Sequence, residues 1–293
     1  MDIGFAGIGR MGREIALHLA RAHHRVVAYD ISSIVDGELA EAGVELVDTA
    51  GQLAALPMSV SMLPDGYATI GLLCGEDGLF ARARDEHTHV MIVTVGADQA
   101  QRVAEEARHR GVHFADAPVS GSVSGARSRV ITTMVGADEA TYARIEPILR
   151  DFTARQFHVG GPGQGTVVKL AVNVVIGALN EAVGEAIILA TRSGVDRDLF
   201  YSILSAGAAG GTYVDYKREA FLHPESAHVD APVAIIAKDL ALALRLAQEL
   251  GVSLPAAAAA SQVAQLAAEA GWAQSDLSHV TDVLTQNPRS SDS

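Results

Sequence analysis

Six residues near the start, Gly7-Ile8-Gly9-Arg10-Met11-Gly12, constrain this chain more than anything that follows them. They stand directly after a short apolar run, DIGFA at 2–6. They open an amphipathic stretch, RMGREIALHLARA at 10–22, with Ile15, Leu17 and Leu19 on or near one face. Glycines in a G-x-G-x-x-G turn let the chain pass sharply from strand to helix and let a pyrophosphate approach the backbone. The helix N-terminus then meets the anion with unpaired amides and a favourable dipole. Glycine-rich turns also serve plain strand-to-helix packing, but between a strand and a helix the pattern predicts a dinucleotide site. Gly7, Gly9 and Gly12, with Arg10 and Met11 between them, are the expected cradle. A second strand is predicted over 25–29 (RVVAY), and Asp30 ends it. That is close to the spacing of about 20 residues at which an acid meets the adenosine ribose hydroxyls. A carboxylate there repels a 2′-phosphate, so NAD is expected over NADP. The alternative is that Asp30 only caps the residues after it.

Further strands are predicted over 44–47, 58–63, 89–95, 112–116 and 130–135, with helices such as 97–110 and 138–149 between them. Strands alternating with helices argue for a parallel sheet covered on both faces. The pattern breaks at the Gly/Pro cluster HVGGPG, 158–163, beyond which strand signals vanish. Residues 164–193 contain no proline and read as one long helix, apolar nearly all round, the kind normally buried. Helices follow at 196–206, 212–222, 230–250, 254–270 and 276–285, and the tail at 286–293 is expected to fray. The 293 residues suit one large or two ordinary domains. The fold class expected is an α/β Rossmann-type N-terminal domain over 1–162 and an all-α C-terminal domain over 163–293.

The 22 basic and 35 acidic residues leave a formal charge of −13, with no long Lys/Arg cluster. Nucleic acid and anionic membrane surfaces are poor partners for such a chain. An anionic ligand must be held by a local device against the overall field. No apolar run reaches the roughly 18 uninterrupted residues of a membrane span, and the opening is not that of a signal peptide. Cys74 is the single cysteine and the eleven histidines are scattered, so neither a disulfide nor metal catalysis is expected. A cytoplasmic protein is the expectation.

Two more clusters could carry chemistry. Asp116-Ala117-Pro118-Val119-Ser120-Gly121-Ser122 follows a strand, at the edge where open α/β sheets bind ligands. The Ser120 hydroxyl and accessible amides beside Gly121 would suit a carboxylate, though a Ser/Gly-rich segment is also simply a loop. Gly163-Gln164-Gly165-Thr166-Val167-Val168-Lys169 leads to Asn173, which shares a helix face with Lys169. A lysine in so apolar a segment either snorkels to solvent or is desolvated toward neutrality, which suits a general acid.

Together, G-x-G-x-x-G with Asp30, DAPVSG at 116–121, G-x-x-x-x-x-K-x-x-x-N at 163–173 and Lys238-Asp239-Leu240 resemble the β-hydroxyacid dehydrogenases. The resemblance runs in order from residue 1 to about 285. It implies a 6-phosphogluconate dehydrogenase-like two-domain architecture and hydride transfer between NAD and a short 3-hydroxyacid or its semialdehyde. In that family Lys169 would be the proton donor or acceptor, with Asn173 orienting it. Ser120, Gly121 and Ser122 would hold the substrate carboxylate, and Lys238 would reach cofactor and substrate. Thr94 would lie near the nicotinamide and Leu63-Pro64 under the adenosine half. The helical domains would pair into a homodimer or homotetramer.

The chain departs from the family pattern at Val93, at Gly96-Ala97, at Ser122 and Arg129 where glycine is usual, and at Val174 where asparagine is frequent. These bear on the substrate more than on the reaction. Arg127 and Arg129 could point inward and favour a second anionic group, or could be solvated. Two other readings compete. Imine reductases share the layout but carry another residue at the position of Lys169. A non-catalytic nucleotide-binding scaffold would have lost that lysine.

Overall fold

In the computed structural model, which describes residues 1–32 and 37–285, the alternation of the first half becomes a parallel sheet. β1 (Asp2–Ala6) leads through the glycine turn into α1 (Arg10–Arg21), then β2 (Arg25–Tyr29), α2 (Gly37–Glu41) and β3 (Glu45–Leu46). β4 (Met58–Ser61), α3 (Gly66–Cys74), β5 (Thr88–Met91), α4 (Ala97–His109) and β6 (His113–Asp116) complete a second run of the same kind. β7 (Val119–Ser120), α5 (Val123–Arg127), β8 (Thr132–Gly136), α6 (Glu139–Arg150) and β9 (Arg155–Gly160) close the sheet. The strand order is β3-β2-β1-β4-β5-β6-β8-β7, with β9 on β8. β1 lies between β2 and β4, so the chain reverses direction across the sheet at that point, where ligands bind beyond the strands' carboxyl ends.

Alternate residues of each strand enter opposite cores, as a doubly covered sheet requires. Ile3, Phe5 and Val26 pack with Ile15 and Leu19 of α1 and Ile145 and Leu149 of α6. Val27, Met91 and Phe114 pack with Leu53, Leu73, Val103 and Ala107 on the other face.

Two features differ from the sequence expectation. The sheet is not wholly parallel, since β8 runs antiparallel to both β6 and β7. Only the short α5 separates β7 from β8, too little chain for a parallel crossover, which takes about a dozen residues or more. β9 lies where the sequence predicted no strand. It is an edge strand held by its parallel ladder with β8, and its RQFHVG sequence buries little that a hydrophobic pattern could reveal.

The chain divides into two compact units, Met1–Lys169 and Leu170–Ser293. α7 (Gln164–Arg192) crosses that division. It is followed by α8 (Arg197–Ala206), α9 (Thr212–Leu222), α10 (Val233–Glu249), α11 (Pro255–Ala267) and α12 (Val280–Thr285), with no strand among the described residues of the second unit. One cluster joins Val183 and Ile187 of α7 to Tyr201, Val214 and Phe221, and another joins Ile236 and Leu240 to Ala257, Ala260 and Leu277. α7 is long and apolar enough to cross a membrane by length and composition alone. It was expected to be buried, as so apolar a helix normally is, and it is not buried all round. Val175 is 63% exposed and Leu189 72%. The tail at 286–293 lies outside the described residues.

Candidate functional site

The glycine turn follows β1 with Gly7 at φ +91°, in the left-handed region that disfavours other residues. Side chains are excluded here by neighbours as well as by φ. A Cβ on Gly7 would strike the Met62 carbonyl, and one on Gly12 the Gly7 carbonyl. A Cβ on Gly9 meets nothing within 4 Å, so space opens beside the start of α1. No side chain caps α1 and its first turn carries no acid. A helix N-terminus without a side-chain cap, its dipole and room for a phosphate are what a dinucleotide needs there, so the chain's residues fit the cofactor.

Asp30 follows β2, and its carboxylate reaches back to this loop. Oδ2 accepts from the Ile8 amide at 2.9 Å, while Oδ1 accepts from the Ser32 amide at 2.9 Å and the Ser32 hydroxyl at 2.6 Å. Burial works against the ionised form, but the hydroxyl and the two amides outweigh it and hold the carboxyl below its ordinary pKa. Asp30 therefore ties down the residues after it, as the capping reading has it, and sets a negative charge beside the glycine turn. Leu63, half-buried, and Pro64, exposed, follow β4, and half-buried Thr94 lies beyond β5. With exposed Arg10 and half-buried Met11 at the start of α1, these residues lie beyond the carboxyl ends of β1, β4 and β5.

The 116–125 segment begins at the end of β6. Ser120 pairs with Thr132 in the β7–β8 ladder. Gly121 has φ +141°, and a Cβ there would meet Ile131 Cγ2 at 2.6 Å, so only glycine suits the turn. The Ser122 hydroxyl caps α5, accepting from the Gly125 amide at 3.0 Å and lying 2.7 Å from Ser124 Oγ. Both arginines are exposed, as the solvated reading has it, and each also bonds a neighbouring element. Arg127 bonds Glu14 of α1 at 3.1 Å. Arg129 donates to the Arg150 carbonyl at 2.9 Å and adopts φ +59°, which accounts for glycine being usual there.

Lys169 lies in the second turn of α7 and is 8% exposed. In the second unit, buried Asn173 donates from Nδ2 to Asp239 Oδ2 at 2.6 Å, and Lys238 Nζ lies 3.2 Å from Asp239 Oδ1. One carboxylate on α10 thus joins two residues that the sequence singled out separately.

Two acids went unassigned in the sequence reading, Asp239 and Asp116. Both stand inside quoted motifs, and both are acids set in apolar surroundings, which must be paired. Asp116 Oδ1 accepts from the Gly163 amide at 2.5 Å and Oδ2 from the Thr166 amide at 2.6 Å. Burial pushes its carboxyl up to about 6 against those two amides.

Comparisons with known proteins agree with this geometry. Residues 2–161 match the family described as the NAD binding domain of 6-phosphogluconate dehydrogenase. Residues 163–284 match that described as NAD-binding of NADP-dependent 3-hydroxyisobutyrate dehydrogenase. The chain is 32% identical to 3-hydroxyisobutyrate dehydrogenase of Pseudomonas aeruginosa, over 92% of this chain and 93% of that one. It is 31% identical to 2-hydroxy-3-oxopropionate reductase of Escherichia coli, over 97% of each. Among solved structures, that of Mycobacterium tuberculosis 3-hydroxyisobutyrate dehydrogenase with L-serine matches with TM-score 0.87 at 26% identity, covering 97% of this chain and 99% of that one.

Proposed function

The chain belongs to the β-hydroxyacid dehydrogenase family and is an oxidoreductase of hydroxyacids, and from that premise we propose that it uses NAD to oxidise a short 3-hydroxyacid, or NADH to reduce the matching semialdehyde, with Lys169 as the general acid/base. The observation that carries this is Lys169 itself, an amine buried on a helix whose first turn is anchored to the sheet. When bound, the nicotinamide supplies the hydride acceptor or donor. The chain does the rest. Lys169 takes the hydroxyl proton during oxidation and returns it during reduction. Ser120 and the amides of Gly121 and Ser122 hold the substrate carboxylate by charge-assisted hydrogen bonds. Asn173 orients the reacting group, and Lys238 adds positive charge for an anionic substrate in an acidic protein, the roles the family likeness gives them.

The names of the two relatives, a 3-hydroxyisobutyrate dehydrogenase and a 2-hydroxy-3-oxopropionate reductase, support short acids bearing an oxidisable hydroxyl or its aldehyde. A panel of 3-hydroxyacids, 3-hydroxyamino acids and semialdehydes, followed by nicotinamide absorbance, tests the reading. Turnover of at least one is expected, and a chain that binds NAD yet turns over none contradicts it.

NAD is expected to exceed NADP in kcat/KM by at least tenfold. The Asp30 carboxylate is ionised and oriented by Ile8 and Ser32, and would face the 2′-phosphate with like charge. Parity, or a preference for NADP, would contradict this. The helical unit is proposed to pair into a homodimer or homotetramer, supported by the exposed apolar residues Val175 and Leu189 on α7. Light scattering of the purified chain would show a monomer if this is wrong.

A further inference from the structure

Asp116 ends a strand in the middle of the sheet. It pairs with Met91 on β5 and Gly136 on β8, and the next amide, of Ala117, donates to the Met91 carbonyl at 2.7 Å. Its side chain is wholly buried, and both carboxylate oxygens go to amides at the start of α7, those of Gly163 and Thr166. Gly163 has φ +93°, which turns the chain into the helix. The surrounding backbone leaves no slack. A Cβ on Gly136 would strike the Asp116 carboxylate and come within 2.7 Å of Gly161 O and Gly165 N. A Cβ on Gly165 would meet the Asp116 and Met134 carbonyls at 2.5 Å each. The helix therefore begins in backbone contact with β6 and β8, pinned by one carboxylate.

Lys169 lies three residues beyond Thr166, about 4.5 Å further along the helix axis and on the same face. A shift or rotation of the first turn is carried directly to it. We propose that Asp116 is a positioning residue for the reaction: by clamping the first turn of α7 to the end of β6, it sets where the Lys169 amine stands. This rests on the acid/base role of Lys169 proposed above. It also gives a physical reason for an acid at the head of the DAPVSG segment and a glycine at the head of the lysine segment, since the two meet in a hydrogen bond.

Four variants test it: Asp116→Asn, Asp116→Ala, Lys169→Ala and, as a control, Asp138→Ala. Asp138 caps α6 through the Thr141 amide at 2.8 Å, in the same unit, on a helix that carries no site residue. The readouts are kcat per cofactor-binding site, counted by fluorescence of bound NADH, and the solvent deuterium isotope effect on kcat. Asp116→Asn keeps one acceptor but turns an amide donor toward a backbone donor. It is expected to lower kcat per site roughly tenfold and Asp116→Ala roughly 100-fold, the scale of a misplacement of about 1 Å. The isotope effect should rise in both, because proton transfer from a displaced amine becomes slower. Asp138→Ala should lose thermal stability and leave both readouts at wild-type values. If Asp116→Ala does not fold, the asparagine variant carries the test. Turnover lost in Lys169→Ala but kept within twofold in Asp116→Asn, or an isotope effect unchanged there, overturns the positioning role alone. Turnover retained in Lys169→Ala overturns the acid/base assignment and the positioning role with it.

Discussion

Lys169→Ala should lose roughly 100- to 10,000-fold in kcat, the range contributed by a positioned proton-transfer group, while NADH binding stays at the wild-type level. The two halves of that expectation come from different parts of the chain. The proposed cofactor site is the glycine turn after β1 with Asp30, which the substitution leaves alone. The proposed proton-transfer group is an amine that is 8% exposed on a helix otherwise rich in Val, Ile and Ala. Water cannot readily replace a proton acceptor in such surroundings. Lys169→Arg should fare almost as badly, because a guanidinium does not release its proton near neutral pH. Steady-state kinetics and a fluorescence titration of NADH check both halves. An alanine variant with more than a third of wild-type turnover would show that the proton goes elsewhere.

The largest stability effect is expected in the helical unit. Lys217 of α9 bonds both oxygens of Asp276, at 2.8 and 2.7 Å, with the two side chains only 2% and 1% exposed. Asp276 also accepts from the Ser278 amide at 3.1 Å, so it holds the turn before α12. Lys217→Met removes the charge but keeps most of the volume, and strands a carboxylate away from water. Removing one member of such a pair costs about 3–5 kcal/mol. Pairing the change with Asp276→Asn should recover a large part of that loss, because no charge is then left uncompensated. Trp272, the single tryptophan, stacks on His279 with ring centroids 4.3 Å apart, so its fluorescence reports on this unit. Denaturant unfolding followed at Trp272 supplies the measurement. A loss below about 1 kcal/mol for Lys217→Met would mean that water reaches the pair.

Much of the sheet was legible because its strands and helices obey local rules. β1, α1 and β2 show apolar periodicity, a glycine turn and an acid at the expected spacing, each readable without distant context. β9 was not legible, since its ladder with β8 depends on backbone pairing and leaves little trace in RQFHVG. The antiparallel return of β8 depends on the length of chain around α5 rather than on β8 itself.

The candidate site divides along the same line. Lys169 and the glycine turn stand out because a charge in an apolar helix and three glycines in six residues are locally anomalous. The partners of those residues do not stand out. Nothing near Asp116 says that its carboxylate will meet amides 47 and 50 residues away. Asp239 meets Asn173 across 66 residues in the same manner. Arg127 and Arg129 were open between an inward and a solvated state, and their actual partners, Glu14 and the Arg150 carbonyl, are again distant in sequence. Periodicity identifies elements, whereas the pairing of buried polar groups is settled only when the elements meet.

The central claim is hydride transfer from the carbinol carbon of a short 3-hydroxyacid to NAD. Its most direct measurement uses a substrate deuterated at that carbon, with the reduced nicotinamide recovered and weighed by mass spectrometry. One deuterium is expected in every reduced cofactor molecule, and with Lys169→Ala in place of the wild type no more than about a hundredth as much reduction over the same time. Reduced cofactor without the label, or NAD bound but never reduced by any short 3-hydroxyacid, would contradict it.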